Sequence, residues 1–159
     1  MTSIAAIVIR RGVVADAPAL ARFAADTFKE AFGAVTAPAD LTAHLANTYS
    51  PALQAAELAD PDVITLLALH DDGIVAYAQV RRTADAPECI DSRDTVEVSR
   101  FYADRSVRGT GVARLLMQRS LDAALELERK AYAWLRSTHD YEEGVRAFLD
   151  KRPPTFTGR

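Results

Sequence analysis

The segment from Val96 to Leu116 restricts this chain most: an alternating strand pattern, a bend with two glycines, then the start of a long helical pattern. Val96 and Val98 alternate with Glu97 and Ser99, but the next large apolar side chain, Phe101, is an odd step away. The period of two slips, which predicts a β-bulge. Beyond Asp104, Arg108-Gly109-Thr110-Gly111-Val112-Ala113 leads into a helical pattern through Lys130, with Leu116, Ser120, Ala123 and Leu127 on one face. Glycine lets the main chain approach a ligand closely, the first N–H groups of a helix lack helical partners, and the helix dipole adds partial positive charge. Together these features make a phosphate cradle. Arg108 stands at its mouth, and with Arg105 and Arg114 it would complement a diphosphate.

Two phosphate-binding classes fail on residue type. A P-loop needs Gly-Lys-Ser/Thr at the helix start, where Val112-Ala113 follows Gly111. A dinucleotide fingerprint needs a small residue where Arg114 stands and an acidic residue ending the next strand, where Leu135-Arg136 stands.

Upstream, Ile4 to Arg11 reads as a first strand, and Asp16-Ala17-Pro18 as a helix cap with proline near the helix start. Leu20, Phe23, Ala24, Thr27 and Phe28 then recur at helical spacing as far as Gly33. Ala39 to Leu58 is helical, either kinked or divided at Ser50-Pro51, because proline disfavours the α conformation in the residue before it. Val63 to Leu69 is an almost unbroken apolar run, as in a strand buried on both faces. Asp72-Gly73 signals a hairpin into the partner strand Ile74 to Arg81. Residues 83 to 94 carry Pro87 and scattered charges without periodicity, and read as a loop. Tyr132 to Leu135 reads as a short fifth strand, and Asp140 as the cap of a last helix with Tyr141, Val145, Phe148 and Leu149 on one face, stopped by Pro153-Pro154. The order β-α-α-β-β-β-α-β-α is a mixed α/β domain, here a single domain over residues 1–159.

Composition narrows the partners. At 159 residues, 49% apolar and 26% charged, the chain has material for a core, which excludes a disordered tail or a disulfide-stapled miniprotein. A net charge of −3 gives no general attraction to nucleic acid or anionic lipid. Residues 1–100 hold 8 basic and 14 acidic side chains, residues 101–159 hold 11 and 8, so an anionic ligand is better received by the second part. Cys89 is the only cysteine, and His44, His70 and His139 lack ligand spacing, so no metal site is expected. The run Ile4 to Ile9 is too short and wrongly flanked for a signal peptide, and no run reaches the roughly 20 apolar residues needed to cross a bilayer. The expectation is a cytoplasmic protein with no membrane partner.

The segment from Val96 to Leu116 resembles the GNAT superfamily of acyl-CoA-dependent N-acetyltransferases. That signature, Arg or Gln, two residues, Gly, one residue, then Gly or Ala, is filled by Arg108, Gly111 and Ala113. The slipped strand before it, the helix after it, and the opening Ile9-Arg10-Arg11 with Asp16-Ala17-Pro18-Ala19-Leu20 agree, so the resemblance covers about residues 4–135. It implies a GNAT-like, largely antiparallel sheet flanked by helices, and acetyl-CoA as cosubstrate. Its diphosphate would lie on the bend of Arg108, Gly109, Thr110, Gly111, Val112 and Ala113, beside Arg114, and its pantetheine arm along the strand edge at Phe101 and Ala103. An amine of a small molecule or peptide would attack the thioester directly, with Glu97 as the base. Equally, Glu97 is open to reading as a solvated outward residue of an amphipathic strand.

The resemblance ends before the chain does. Many GNAT members have an Asn after the fifth strand and a helix ending Phe-Tyr, whose hydroxyl can protonate the leaving thiolate; here Tyr141 and Leu149 stand at those places. The family's terminal strands are replaced by a helical tail. Asp140-Tyr141-Glu142-Glu143-Gly144-Val145-Arg146-Ala147-Phe148-Leu149-Asp150-Lys151-Arg152-Pro153 with Phe156 resembles the C-terminus of crotonase-family enoyl-CoA hydratases, over about residues 115–159. That implies a chimera joined near the bend, with 113–159 of crotonase-like origin. It also implies a tail suited to packing against a second copy as a homodimer, with the matches of Phe148 and Lys151 near a neighbour's CoA adenine. No counterpart of the hydratase glutamates is found. The residues thus leave open an active N-acetyltransferase, a CoA-binding remnant without turnover, and a poorly folded fusion product.

Overall fold

The computed structural model describes residues 7–71, 73–83 and 95–158, and the chain divides into two compact units, residues 1–124 and 125–159. The first unit is built on a four-stranded antiparallel sheet of order β1-β2-β3-β4: β1 (Val8–Arg11), β2 (Val63–His70), β3 (Gly73–Thr83) and β4 (Thr95–Ala103). As its almost unbroken apolar run predicts, β2 is buried on both faces, and so is the middle of β3. Leu67 and Tyr77 on one face and Ala68, Ala76, Ala78 and Val80 on the other are all fully buried. The β2–β3 hairpin closes one residue earlier than expected: His70 pairs with Gly73, and Asp71 takes φ 47°, a conformation Asp tolerates better than most residues. Asp72 and the expected loop residues 84–94, with Pro87 and Cys89, lie outside the described residues, while Thr83 closes β3.

Three helices cross from β1 to β2: α1 (Ala17–Phe32), α2 (Pro38–Thr48) and α3 (Pro51–Ala59). The break at Ser50-Pro51 resolves into two helices. Ser50 is extended ahead of the proline and its hydroxyl accepts the Leu53 amide at 3.3 Å, capping α3. Asp16 stands at the expected N-cap position of α1, with proline in the first turn, but its side chain makes no capping bond. Its carboxylate accepts two bonds from Arg10, at 2.7 and 2.8 Å, and the Val13 amide, and so fastens a 3₁₀ turn to β1 rather than capping α1. Leu20 and Ala24 of α1 join Tyr49, Leu67 and Tyr77 in the core, where Phe23 meets Tyr77 edge-on and Tyr102 of β4 stacks on Tyr77 at 5.6 Å.

The long helix α4 runs from Val112 to Arg136, and in the first unit it buries Val112, Leu116, Ser120 and Ala123, the face its periodicity predicts. The expected fifth strand at Tyr132 to Leu135 is overturned, since these residues are the last full turn of α4. Neither glycine nor proline occurs between Gly111 and Ser137, and a helix already nucleated extends more readily than it breaks. A four-residue apolar run does not by itself distinguish the two states.

In the second unit α4 ends and α5 (His139–Leu149) begins at Thr138, whose hydroxyl accepts the Tyr141 amide at 3.2 Å. Thr138, not Asp140, is the cap. Asp140 is thereby free to accept the amides of Thr157 and Gly158, both at 2.7 Å, while Glu143 takes both ends of the Arg152 guanidinium at 2.6 and 2.9 Å and the Thr155 amide at 2.9 Å. The tail is thus strapped along α5 by two carboxylates. Val145, Phe148 and Phe156 line an apolar groove of about 400 Å³, with Phe148 82% exposed.

Candidate active site

β4 carries the expected bulge. Gln79 of β3 pairs with Arg100 and Val80 with Val98, which leaves Ser99 as the extra residue. The Ser99 hydroxyl donates to the main-chain and side-chain oxygens of Gln79, at 3.2 and 3.3 Å. Past the bulge the ladder is regular and ends with the Asp104 amide on the Val75 carbonyl at 2.9 Å. Alternation from that bond turns the main-chain groups of Tyr102 toward β3 and those of Phe101 and Ala103 away from it. Because β4 is the last strand of the sheet among the described residues, these outward groups have no neighbouring strand.

The chain then tightens. The Asp104 carboxylate accepts from Ser106, which holds it below its ordinary pKa, and opens a 3₁₀ turn whose Val107 side chain is buried as an anchor. The Arg108 amide bonds to the Arg105 carbonyl, and Thr110 commits both its amide and its hydroxyl to the Val107 carbonyl. Gly109 and Gly111 take φ values of 74° and 89°, which only glycine adopts without strain, and a Cβ at Gly109 would meet nothing within 4 Å. The Gly111 carbonyl accepts the Leu115 amide at 3.1 Å, which starts α4. Five amides, those of Gly109, Gly111, Val112, Ala113 and Arg114, are left without an acceptor among the described residues. Val112 is buried as a whole, and its side chain anchors the helix start.

Beside the bend lies a cavity of about 390 Å³, with Thr27 and Glu30 of α1 on one side and Phe101, Ala103, Arg105 and Arg108 on the other. Glu30 pairs with Arg105 and stands 4.0 Å from Arg108 Nη2. Glu97 is exposed, pairs across the ladder with Arg81, and does not line this cavity. The cavity therefore brings together Phe101, Ala103 and Arg108, with the glycines on the bend that follows Arg108, and Glu97 stands farther up the same strand. Two features escaped the sequence. One is Glu30, on an amphipathic helix where nothing local marks it. The other is Glu57 of α3, whose carboxylate takes both ends of the Arg100 guanidinium, at 2.6 and 3.0 Å, from 43 residues away. Among the described residues no group of His, Cys, Asp and Glu is arranged to hold a metal, and no helix is long and apolar enough to cross a membrane.

Residues 22–152 match the Acetyltransferase (GNAT) family. An uncharacterized N-acetyltransferase of Mycobacterium tuberculosis is 37% identical over 111 residues, 70% of this chain; the match spans 66% of that relative's length. An enoyl-CoA hydratase/isomerase of Bacillus subtilis is 46% identical over 46 residues, only 29% of this chain and 18% of that protein, consistent with a second resemblance confined to a short stretch. The fold is shared with the PaiA N-acetyltransferase from Thermoplasma acidophilum, solved in complex with coenzyme A: TM-score 0.60, 17% identity, 79% of this chain and 74% of that one.

Proposed function

The chain belongs to the acetyltransferase (GNAT) family, and on that premise we propose that it moves an acetyl group from acetyl-CoA to a primary amine of a small molecule or peptide. The observation that carries this reading is the set of amides without an acceptor among the described residues, those of Gly109 and of Gly111 to Arg114, on a bend where Gly109 faces open space. Amides at a helix start, backed by the helix dipole, suit a diphosphate, and Arg105 and Arg108 add charge-assisted donors. The outward main-chain groups of Phe101 and Ala103 would pair with the amides of a pantetheine arm as an added strand does. From Ala103 to Glu97 the strand rises about 20 Å, a span that an extended arm covers, so the thioester would lie near Ser99 and Glu97.

In this mechanism the bound cosubstrate supplies an activated acetyl carbonyl. Glu97 takes a proton from the attacking amine, whose nitrogen bonds to the carbonyl carbon as the carbon–sulfur bond breaks. A main-chain N–H of β4 steadies the oxyanion. Leu149 offers no proton, so water protonates the departing thiolate. The same reading puts the enzyme in the cytoplasm and allows a homodimer.

A second reading, binding of CoA without turnover, is favoured by one observation: Tyr132 to Leu135 are helical, so among the described residues no fifth strand stands beside β4. Calorimetry with acetyl-CoA, followed in the same sample by a thiol assay across a panel of amines, separates the two. Heat of binding with thiol release supports transfer, heat without thiol supports the second reading, and no heat from folded protein removes both.

A further inference from the structure

The polar cluster beneath α3 has no part in the proposed chemistry, yet it converges on the bulge. Glu57 accepts four donors: two from Arg100, one from Gln54 at 3.1 Å and one from Gln79 at 3.2 Å. Gln79 is also the residue that holds the Ser99 hydroxyl. The two residues facing Gln79 across the bulge are therefore both tied, Ser99 through Gln79 and Arg100 through Glu57. Arg100 lies over the Tyr49 ring at 5.5 Å, and its side chain and that of Glu57 are only 16% and 19% exposed.

Such a pair is a poor way to gain stability. Desolvating two charges cancels much of their attraction, and an apolar pair of like volume often serves the fold as well. Nearby buried polar atoms add to the cost, since Gln54 Oε1, Thr65 Oγ1 and the Tyr77 hydroxyl have no partner among the described residues. What the pair does supply is geometry. A bidentate carboxylate–guanidinium contact fixes both the direction and the rotation of the side chain it holds. Arg100 is the residue at which β4 resumes its register, so its position decides whether the main-chain groups of Phe101 and Ala103 face outward.

We propose that Glu57 is a positioning residue, which through Arg100 and Gln79 holds the β4 bulge in the register that receives the acyl-CoA arm. The proposal rests on the acetyl-CoA reading above. Among the described residues the cradle at Gly109 to Arg114 shares no hydrogen bond or ion pair with this cluster, so arm recognition and diphosphate recognition separate in their dependence on Glu57.

The test compares full-length parent, Glu57→Gln and Ser99→Ala in calorimetry with two probes, CoA and 3′-phosphoadenosine 5′-diphosphate, which keeps the nucleotide but lacks the arm. Glu57→Gln is expected to weaken CoA about tenfold and raise the KM for acetyl-CoA to match, with kcat less affected, while the nucleotide fragment binds within about twofold of the parent. Ser99→Ala, which leaves the ion pair intact, is expected to weaken CoA by a smaller factor and the fragment not at all; should Glu57→Gln fail to fold, this variant decides alone. Equal loss for both probes, or no loss for either, overturns the positioning role. A parent that binds neither probe overturns the acetyl-CoA reading and the positioning role with it, an outcome distinct from the first two.

Discussion

The carboxylate of Glu30 on α1 pairs with the guanidinium of Arg105, 75 positions along the chain, and Arg108 reaches toward the same oxygen. An anion entering the cavity must take these arginines from a carboxylate already holding them. Glu30→Gln removes the competitor while keeping its size, so CoA should bind about threefold to tenfold more tightly, with the gain shrinking as salt rises. Calorimetry at two ionic strengths reads it. Unchanged or weaker binding contradicts the role given to these arginines.

The two bend glycines should respond differently to substitution. At Gly109 an added methyl meets no atom, so Gly109→Ala carries only the cost of φ 74°, about 1 kcal/mol, and should weaken CoA modestly. Gly111→Trp combines φ 89° with a large side chain where the diphosphate would lie, and should abolish CoA binding. Circular dichroism confirms that both variants fold. CoA binding that survives Gly111→Trp contradicts the cradle.

Glu97→Gln should lower kcat about a hundredfold with the KM for acetyl-CoA unchanged, because the carboxylate is asked only to take a proton. Steady-state kinetics with any accepted amine decides this. A parent-like kcat returns Glu97 to the solvated outward residue that its exposure also allows.

The strap along α5 should be sensitive to acid. The Arg152 guanidinium, helped by the Thr155 amide, holds the Glu143 carboxyl down at about 2, and the Thr157 and Gly158 amides lower Asp140 as well. Carboxyls depressed in the folded state contribute in full above the ordinary carboxylate range, and their contribution is lost as pH falls toward the folded value. The tail should therefore stay on α5 at pH 6 and begin to release below about pH 4, complete near pH 2. Amide shifts of Thr155, Thr157 and Gly158 followed against pH report it, and shifts unchanged down to pH 2 contradict the strap.

What could be read from the residues alone was local. The bulge at Ser99 showed as a slip between Val98 and Phe101, and the bend showed as glycines ahead of a periodic helix. In two places a carboxylate expected to cap a helix bonds elsewhere, through competition among nearby groups of similar strength. Thr138 displaced Asp140 as a cap once the tail claimed Asp140, and Arg10 claimed Asp16 in the same way. No strand forms at Tyr132 to Leu135 because these four apolar residues continue the uninterrupted helix leading into them. Glu30 and Glu57 were illegible because their partners are distant in sequence, and an acidic residue on an amphipathic helix looks solvated until the fold closes over it.

The most direct measurement is a heteronuclear NMR titration of the labelled chain with CoA. Resonances of Gly109, Gly111, Val112, Ala113 and Arg114 should move downfield together and saturate with one ligand per chain, because their amides gain phosphate oxygens as acceptors. If these five stay in place while CoA binds elsewhere, or does not bind to a well-dispersed folded chain, the bend is no diphosphate site.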